Sequence, residues 1–453
     1  MAGGITLRRQ ENLILNKMAT QISLVTAATG ALTFYSNYAS ARTASNAGDL
    51  IQIWADLTDE QLLLKDGVDI WIAPGRIIET SQGMPLIIDN DTGYTSPVSV
   101  NITGNGIFRN SNDKYRCVAI YNSASKVTII CDSLEGVGTD PENSEWATVH
   151  IVDAAKFHLT CNKVSNLNQK AIYFENEVAD IDINVDVIEN GEFDGGDVLS
   201  IKGNGFLNSN EVICRNNGSC LNHKAGTFIA NILKLTSTNI DIETAGTVQL
   251  SDGTGTQNLT LFFDEIQNLS KEGGNAVTAS EGILNLNGRY IYSKNGMSMD
   301  LAADADILVD EIISKTKGIN INNNPTSGNK KIIIDANIIE GSNGNDGVIR
   351  SATGSNYVIR NAKIKNTYTG SSSPHSIGIY IASGDANNQS IEIENVIIVT
   401  GTDTNDYSLF RAGTSGIAIK NLGLFVKKDK NTNVSFAIGT ITNFKYIIST
   451  DIT

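Results

Sequence analysis

The chain has 453 residues, with 34 Lys or Arg against 49 Asp or Glu, so its net charge is −15. That charge repels a phosphate backbone and argues against nucleic acid as a partner, while 41% hydrophobic residues and only 6 prolines mark a chain that folds. No run of about 18 apolar residues is present to form a membrane span.

Residues 1–47 differ from the rest of the chain, because four cations, Arg8, Arg9, Lys17 and Arg42, face a single anion, Glu11. The apolar positions Leu7, Ile14, Met18, Ile22 and Val25 recur at helical spacing and predict an amphipathic helix of about five turns. A stripe this short makes no core of its own. It either folds back on the main domain or docks on another copy or another protein, and the docking reading expects the rest to stay folded when residues 1–46 are deleted. Glu11, Asn12, Gln21 and Ser23 interrupt any signal-like core, so the expectation is an uncleaved segment made in the cytoplasm. Residues 31–48 are small and polar and predict an extended connector.

Residues 48–97 predict a capping helix followed by the first strands. Thr58 and Gln61 have capping-box spacing, Leu62, Leu63 and Leu64 come next, and Gly67 suits the left-handed residue after a helix. Val68, Ile70 and Ile72 then alternate as in a strand, Pro74 and Gly75 make a turn, and Arg76 to Glu79 begins a second strand.

Residues 98–453 repeat one theme, a short alternating strand closed by a turn of Asn, Gly, Ser or Asp. Aligned on the turn, Asn166, Asn190, Asn216, Asn239, Asn268, Asn295, Gly318, Asn343 and Asn366 recur with a period of about 23–29 residues, which is a solenoid signature. Neither the fixed leucines of leucine-rich repeats nor long helical stripes are present. Equivalent short strands must therefore stack in parallel on one another, giving an all-β parallel β-helix of about fourteen rungs at ~4.8 Å, roughly 65 Å of rod. Ile and Val point inward, and Asn side chains are expected to stack at the turn, bonding the neighbouring turn and tolerating left-handed backbone. The five cysteines, Cys117, Cys131, Cys161, Cys214 and Cys220, have no metal-ligand spacing and read as buried free thiols.

The opening segment LLLKDGVDIWIAPGRI and the rungs through Phe436 resemble the right-handed parallel β-helix proteins of the pectate-lyase-like superfamily. That group includes pectate lyases, polygalacturonases and bacteriophage tailspikes, so the resemblance implies a fold rather than one chemistry. The Asn-Thr-Asp, Asp-pair, Gly-His-Gly and Arg-Ile-Lys set of polygalacturonases does not carry over, and His150, His158, His223 and His375 lie apart.

Three acidic segments are candidate sites. In ADIDINVDV, Asp180, Asp182 and Asp186 alternate outward while Ile181, Ile183, Val185 and Val187 point inward. Clustered acids of this kind are what calcium would need, but a solvated strand face is the plainer reading, and no metal or cofactor is expected. The turn ENGEFDGGD carries Glu189, Glu192, Asp194 and Asp197, and two such carboxylates spaced by about 5–10 Å serve glycoside hydrolysis. In GTDPENSEW, Trp146 beside Glu145, with Asp140 and Glu142, offers a platform for a sugar ring. The catalytic candidates are thus Asp182, Asp186, Glu192 and Asp194, and the ligand-binding candidates Trp146 and Glu145.

The expected function is a structural or receptor-binding appendage of a bacteriophage virion. It binds other virion proteins through residues 1–47, and a cell-surface polysaccharide along the rod, as a homo-oligomer with a trimer favoured. The alternative is a polysaccharide depolymerase, a lyase or glycosidase working in a groove along the helix.

Overall fold

The computed structural model describes residues 22–399 apart from 89–95, 113–115, 138–146, 192–195, 239–245, 252–256, 272, 323–330, 345, 353–355, 370–376 and 382–389; beyond these it describes the backbone of five strands, Tyr407–Arg411, Ala418–Lys420, Gly423–Lys427, Thr440–Thr442 and Tyr446–Thr450. The chain divides into two compact units, Met1–Asn210 and Glu211–Thr453.

Both units are parallel β-helices whose rungs contribute to three stacks of strands. In the first unit one stack holds Leu50–Ile53, Asp69–Ile72, Ser99–Gly104, Lys126–Ile130 and the first half of Lys156–Asn166. A second holds Leu57–Thr58, Ile77–Thr80, Ile107–Asn110, Ser133–Gly136 and the second half of Lys156–Asn166. The third runs from Leu62–Leu63 through Leu86–Ile87, Val118–Ile120 and Val149–Ile151 to Ile172–Phe174. In-register pairing places like on like, so Ile51, Ile70, Ile102, Ile129, Leu159 and Ile183 form one buried column. The second unit repeats this with Ala230, Leu261, Leu286, Ile307, Ile334, Ile359 and Ile393.

Between the first and second stacks the strand bends, and one residue per rung drops out of the pairing. In Val178–Asn190 that residue is Asp186, opposite Asn162. The bend resets the alternation, so Val185 is inward but Val187 is half-exposed and Ile188 takes the core position. Strict alternation assigns Val187 inward, and it fails there because a corner needs two successive outward residues.

The closing turn also differs from the expected register. Pairing places Thr80 on Asn110, Gly136 on Asn166 and Asn190, Ser237 on Asn268, Ser293 and Ser314, and Gly341 on Asn366. Asn295 and Asn343 therefore lie two residues beyond the stacked position, Gly318 lies four beyond it, and Asn239 lies outside the described residues. The position is filled by Thr, Asn, Ser or Gly, and the side chains among them accept from turn backbone. Asn166 Oδ1 accepts from the N–H groups of Asn168 and Gln169 at 3.0 and 2.8 Å, and Ser314 Oγ accepts from that of Thr316 at 2.9 Å. Among the described residues the non-glycine positions with left-handed backbone are Asp59, Asn361 and Asn395, not the turn asparagines described.

At the N-terminal end three expectations are corrected. Ile22–Val25 is a strand, antiparallel to Leu32–Tyr35 and to the first-rung strand Leu50–Ile53, so the helix foreseen over Leu7 to Val25 does not include Ile22 and Val25. Ile22 is buried, and its apolar neighbours are supplied by the chain itself. Leu7, Ile14 and Met18 lie outside the described residues. Residues 58–66 form no helix; Leu62–Leu63 pairs with Leu86–Ile87, and Leu62 and Leu64 turn inward as a strand requires. The helix is instead Tyr38–Ala44, within the stretch read as a connector, capped by Asn37, whose Oδ1 accepts from the Ser40 N–H at 2.8 Å. It seals the first rung: Tyr38 is buried, its hydroxyl donates to the Leu63 carbonyl at 2.9 Å, and its N–H donates to Glu60 at 2.8 Å. Among the described residues no helix is long and apolar enough to cross a membrane.

Candidate functional site

The acids singled out on Val178–Asn190 are engaged by side chains of their own strand or of a neighbouring rung. His158 Nε2 lies 3.1 Å from Asp180, Asn184 donates to Asp182 at 2.9 Å, and Asn210 donates to Asp186 at 3.3 Å. Asp186 belongs to a polar ladder along the corner, in which Asn162 donates to Asp132 at 2.7 Å. The second unit has the same device, with Arg289 donating to Asp264 at 2.7 Å and Asn337 to Asp310 at 2.9 Å. Asp264 is held below the usual carboxylate range by Arg289. A carboxylate accepting from an amide on the next rung satisfies both outward groups at a bend, so these acids have a structural post. Glu189 pairs with Lys163 at 2.6 Å. Glu192, Asp194, Glu145 and Trp146 lie outside the described residues, as does His375. Among the described residues no group of three or more His, Cys, Asp or Glu side chains could hold a metal ion.

A second polar assembly lies on the third stack of the first unit. His150 is 1% exposed, stacks on Tyr173 with centroids 5.0 Å apart, and places Nε2 3.2 Å from Glu175. The Lys170 ammonium sits 3.9 Å over the same tyrosine ring. Burial, then the nearby charges of Arg116 and Lys170, lower the His150 pKa to about 3, so the imidazole is neutral around neutral pH. Its burial makes it a packing element rather than a group that meets a ligand. His223 is also buried, with Nε2 2.9 Å from the Gly226 carbonyl. All five cysteines are free and buried, and burial pushes the Cys117 thiol up to about 12, away from the reactive thiolate.

The arrangement best suited to a ligand was not singled out from sequence. On the first stack of the second unit, the outward residues of successive strands enclose a shallow cleft of about 290 Å³. Asn285 and Asn287, from strand Ile283–Ser293, form its floor. Register sets Phe262 and Leu308 on either side of Asn287, and Thr260 and Asp306 on either side of Asn285. The walls are two strand spacings apart, about 9–10 Å. Asp335 stands beside Leu308 and Arg360 beside Asp335, joined by a 2.8 Å hydrogen bond from Arg360 Nε. The inward column of Leu261, Leu286, Ile307, Ile334 and Ile359 fixes these neighbours outward, since successive strand residues face opposite ways.

Phe262 and Leu308 are 43% and 51% exposed, two large apolar side chains left open to solvent on the lining of one cleft. In sequence each stands among ordinary alternating residues and carries no motif. Their common signal was a large apolar residue at an outward position on two strands in the same register, which needs the pairing to be seen.

Comparison with family models, curated proteins and solved structures found no match to this chain.

Proposed function

We propose that the chain is a β-helical appendage of a bacteriophage virion that holds a cell-surface polysaccharide in the cleft on the first strand stack of its second unit. One observation carries the glycan reading: an aromatic and an aliphatic wall flank a floor of amides on an exposed face. Carbohydrate presents both an apolar C–H face and a fringe of hydroxyls, and this lining answers both. The virion setting rests on the resemblance of the rungs and on the basic N-terminal segment, through which other virion proteins would be bound and a homo-oligomer, with a trimer favoured, assembled. The protein would be made in the host cytoplasm. Binding of purified protein to isolated surface polysaccharides tests the reading, with Phe262→Ala expected to lose most of the affinity and keep the fold. Binding unchanged in that variant would place the site elsewhere. Removing residues 1–21, which spares the capping strand and helix, is expected to abolish incorporation into particles, scored by immunoblotting purified virions.

A depolymerase is the second reading, favoured by Asp306 and Asp335 in the same cleft. They lie diagonally on adjacent strands, about 7–8 Å apart for neighbours of that kind, within the spacing that glycoside hydrolysis uses. Release of reducing ends that stops in both Asp306→Asn and Asp335→Asn would establish it.

A further inference from the structure

We propose that the glycan held in this cleft is built of uncharged pyranoses, and that Asp306 selects them by accepting hydrogen bonds from two neighbouring hydroxyls; this rests on the glycan-binding reading and specifies its ligand. The charges on this face decide the matter. Arg360 is tied to Asp335 at 2.8 Å, and both oxygens of Asp335 also accept from Asn361 at 3.1 Å. At the adjoining corner Arg289 is shared between Asp264 and Glu265, and Lys331 lies 3.9 Å from Glu392. Asp306 alone among the cleft's charged groups has no hydrogen bond or ion pair among the described residues, and it is exposed.

A carboxylate only accepts, through two oxygens a fixed distance apart. Hydroxyls on adjacent ring carbons supply two donors at a matching separation. Asn285, which lines the cleft, donates its amide N–H to Thr260 Oγ1 at 3.3 Å, and its carbonyl oxygen is by its chemistry a further acceptor. Phe262 and Leu308 then cover the ring's C–H face. A uronic or sialic acid would bring a second carboxylate beside Asp306 with no unengaged cation to balance it, in a chain whose net charge is −15. Like charges brought together at a binding site cost affinity and reject the wrong ligand.

The test is an array of neutral and acidic bacterial surface glycans, followed by titration calorimetry of the strongest neutral ligand and of polygalacturonate at physiological ionic strength. The neutral ligand is expected to bind at least tenfold more tightly than the polyuronate. Asp306→Asn, on an exposed strand face, should weaken the neutral ligand at least tenfold and narrow the gap between the two classes, with an unchanged melting temperature. Acidic glycans binding as well as neutral ones, in a manner lost in Phe262→Ala, would overturn the selectivity and leave the glycan reading standing. No glycan of either class binding in a Phe262-dependent way would overturn both.

Discussion

Asparagine fills two different posts in the rungs that carry it, and the consequences of removing it differ accordingly. Asn166 is buried and accepts from two turn N–H groups, so Asn166→Ala leaves two donors without a partner and is expected to cost about 1–3 kcal/mol in denaturant unfolding. Asn162, at the corner, donates to Asp132 in an exposed setting, and Asn162→Ala should stay within about 0.5 kcal/mol of the parent. Composition showed that Asn would close the turns, but not which Asn, because Ser meets the same need at Ser293 and Ser314 and Gly341 takes the position with no side chain at all. The outward placement of Asp182 was legible from alternation, whereas its bond from Asn184 and the Asn210 bond to Asp186 depend on local and inter-rung geometry. His150 gives a pH test. Its folded pKa, about 3, lies below the ordinary 6.5, so the unfolded chain binds a proton that the folded chain refuses. Stability is full above about pH 6.5 and falls as the pH drops toward 3, by at most about 1.4 kcal/mol per pH unit from this group. Arg116 and Lys170 reinforce that effect. His150→Gln should flatten this part of a stability-against-pH curve measured by urea unfolding.

Among the elements, the strand stacks were legible and the N-terminal cap was not. Strands with alternating Ile and Val declare themselves, and Ile183 and Ile334 are both fully buried as alternation required. Replacing either with Asp buries a charge with no partner, and a loss above about 3 kcal/mol or failure to fold is expected, read from thermal melting and soluble yield. The cap misled for a physical reason. Leu62, Leu63 and Leu64 fit a helix or a strand equally well, and only pairing with Leu86–Ile87 decides between them. Tyr38–Ala44, by contrast, is short, polar and weakly patterned, and its helical form is stabilised by Asn37 and by burial of Tyr38 and Ala41 on the first rung. Deleting residues 1–46, harmless to the rod on the docking reading, removes both the helix and the antiparallel strand Ile22–Val25. The truncated protein should melt at a lower temperature and aggregate, seen by scanning calorimetry with light scattering, because the unpaired edge of Leu50–Ile53 is exposed.

For the whole molecule, charge and repeat period told most from sequence, and the candidate site told least. A net −15 predicts no binding to duplex or single-stranded DNA even at low salt, where electrostatic attraction is strongest, and a gel-shift titration checks this. The cleft stayed hidden because it is assembled from one to three residues on each of five strands, Thr260 to Arg360 in order, with no two of its walls adjacent in sequence. The antiparallel strand Ile22–Val25 has one more consequence, and it concerns time. It leaves the ribosome before Leu50–Ile53, and once that strand emerges it gives it a partner on one side. Within the first unit every later strand finds its template in the rung made just before it, from Asp69–Ile72 onward. Folding there can keep pace with synthesis and never waits for the C-terminus, so a ribosome stalled after Asn190 should already display a protease-resistant stub.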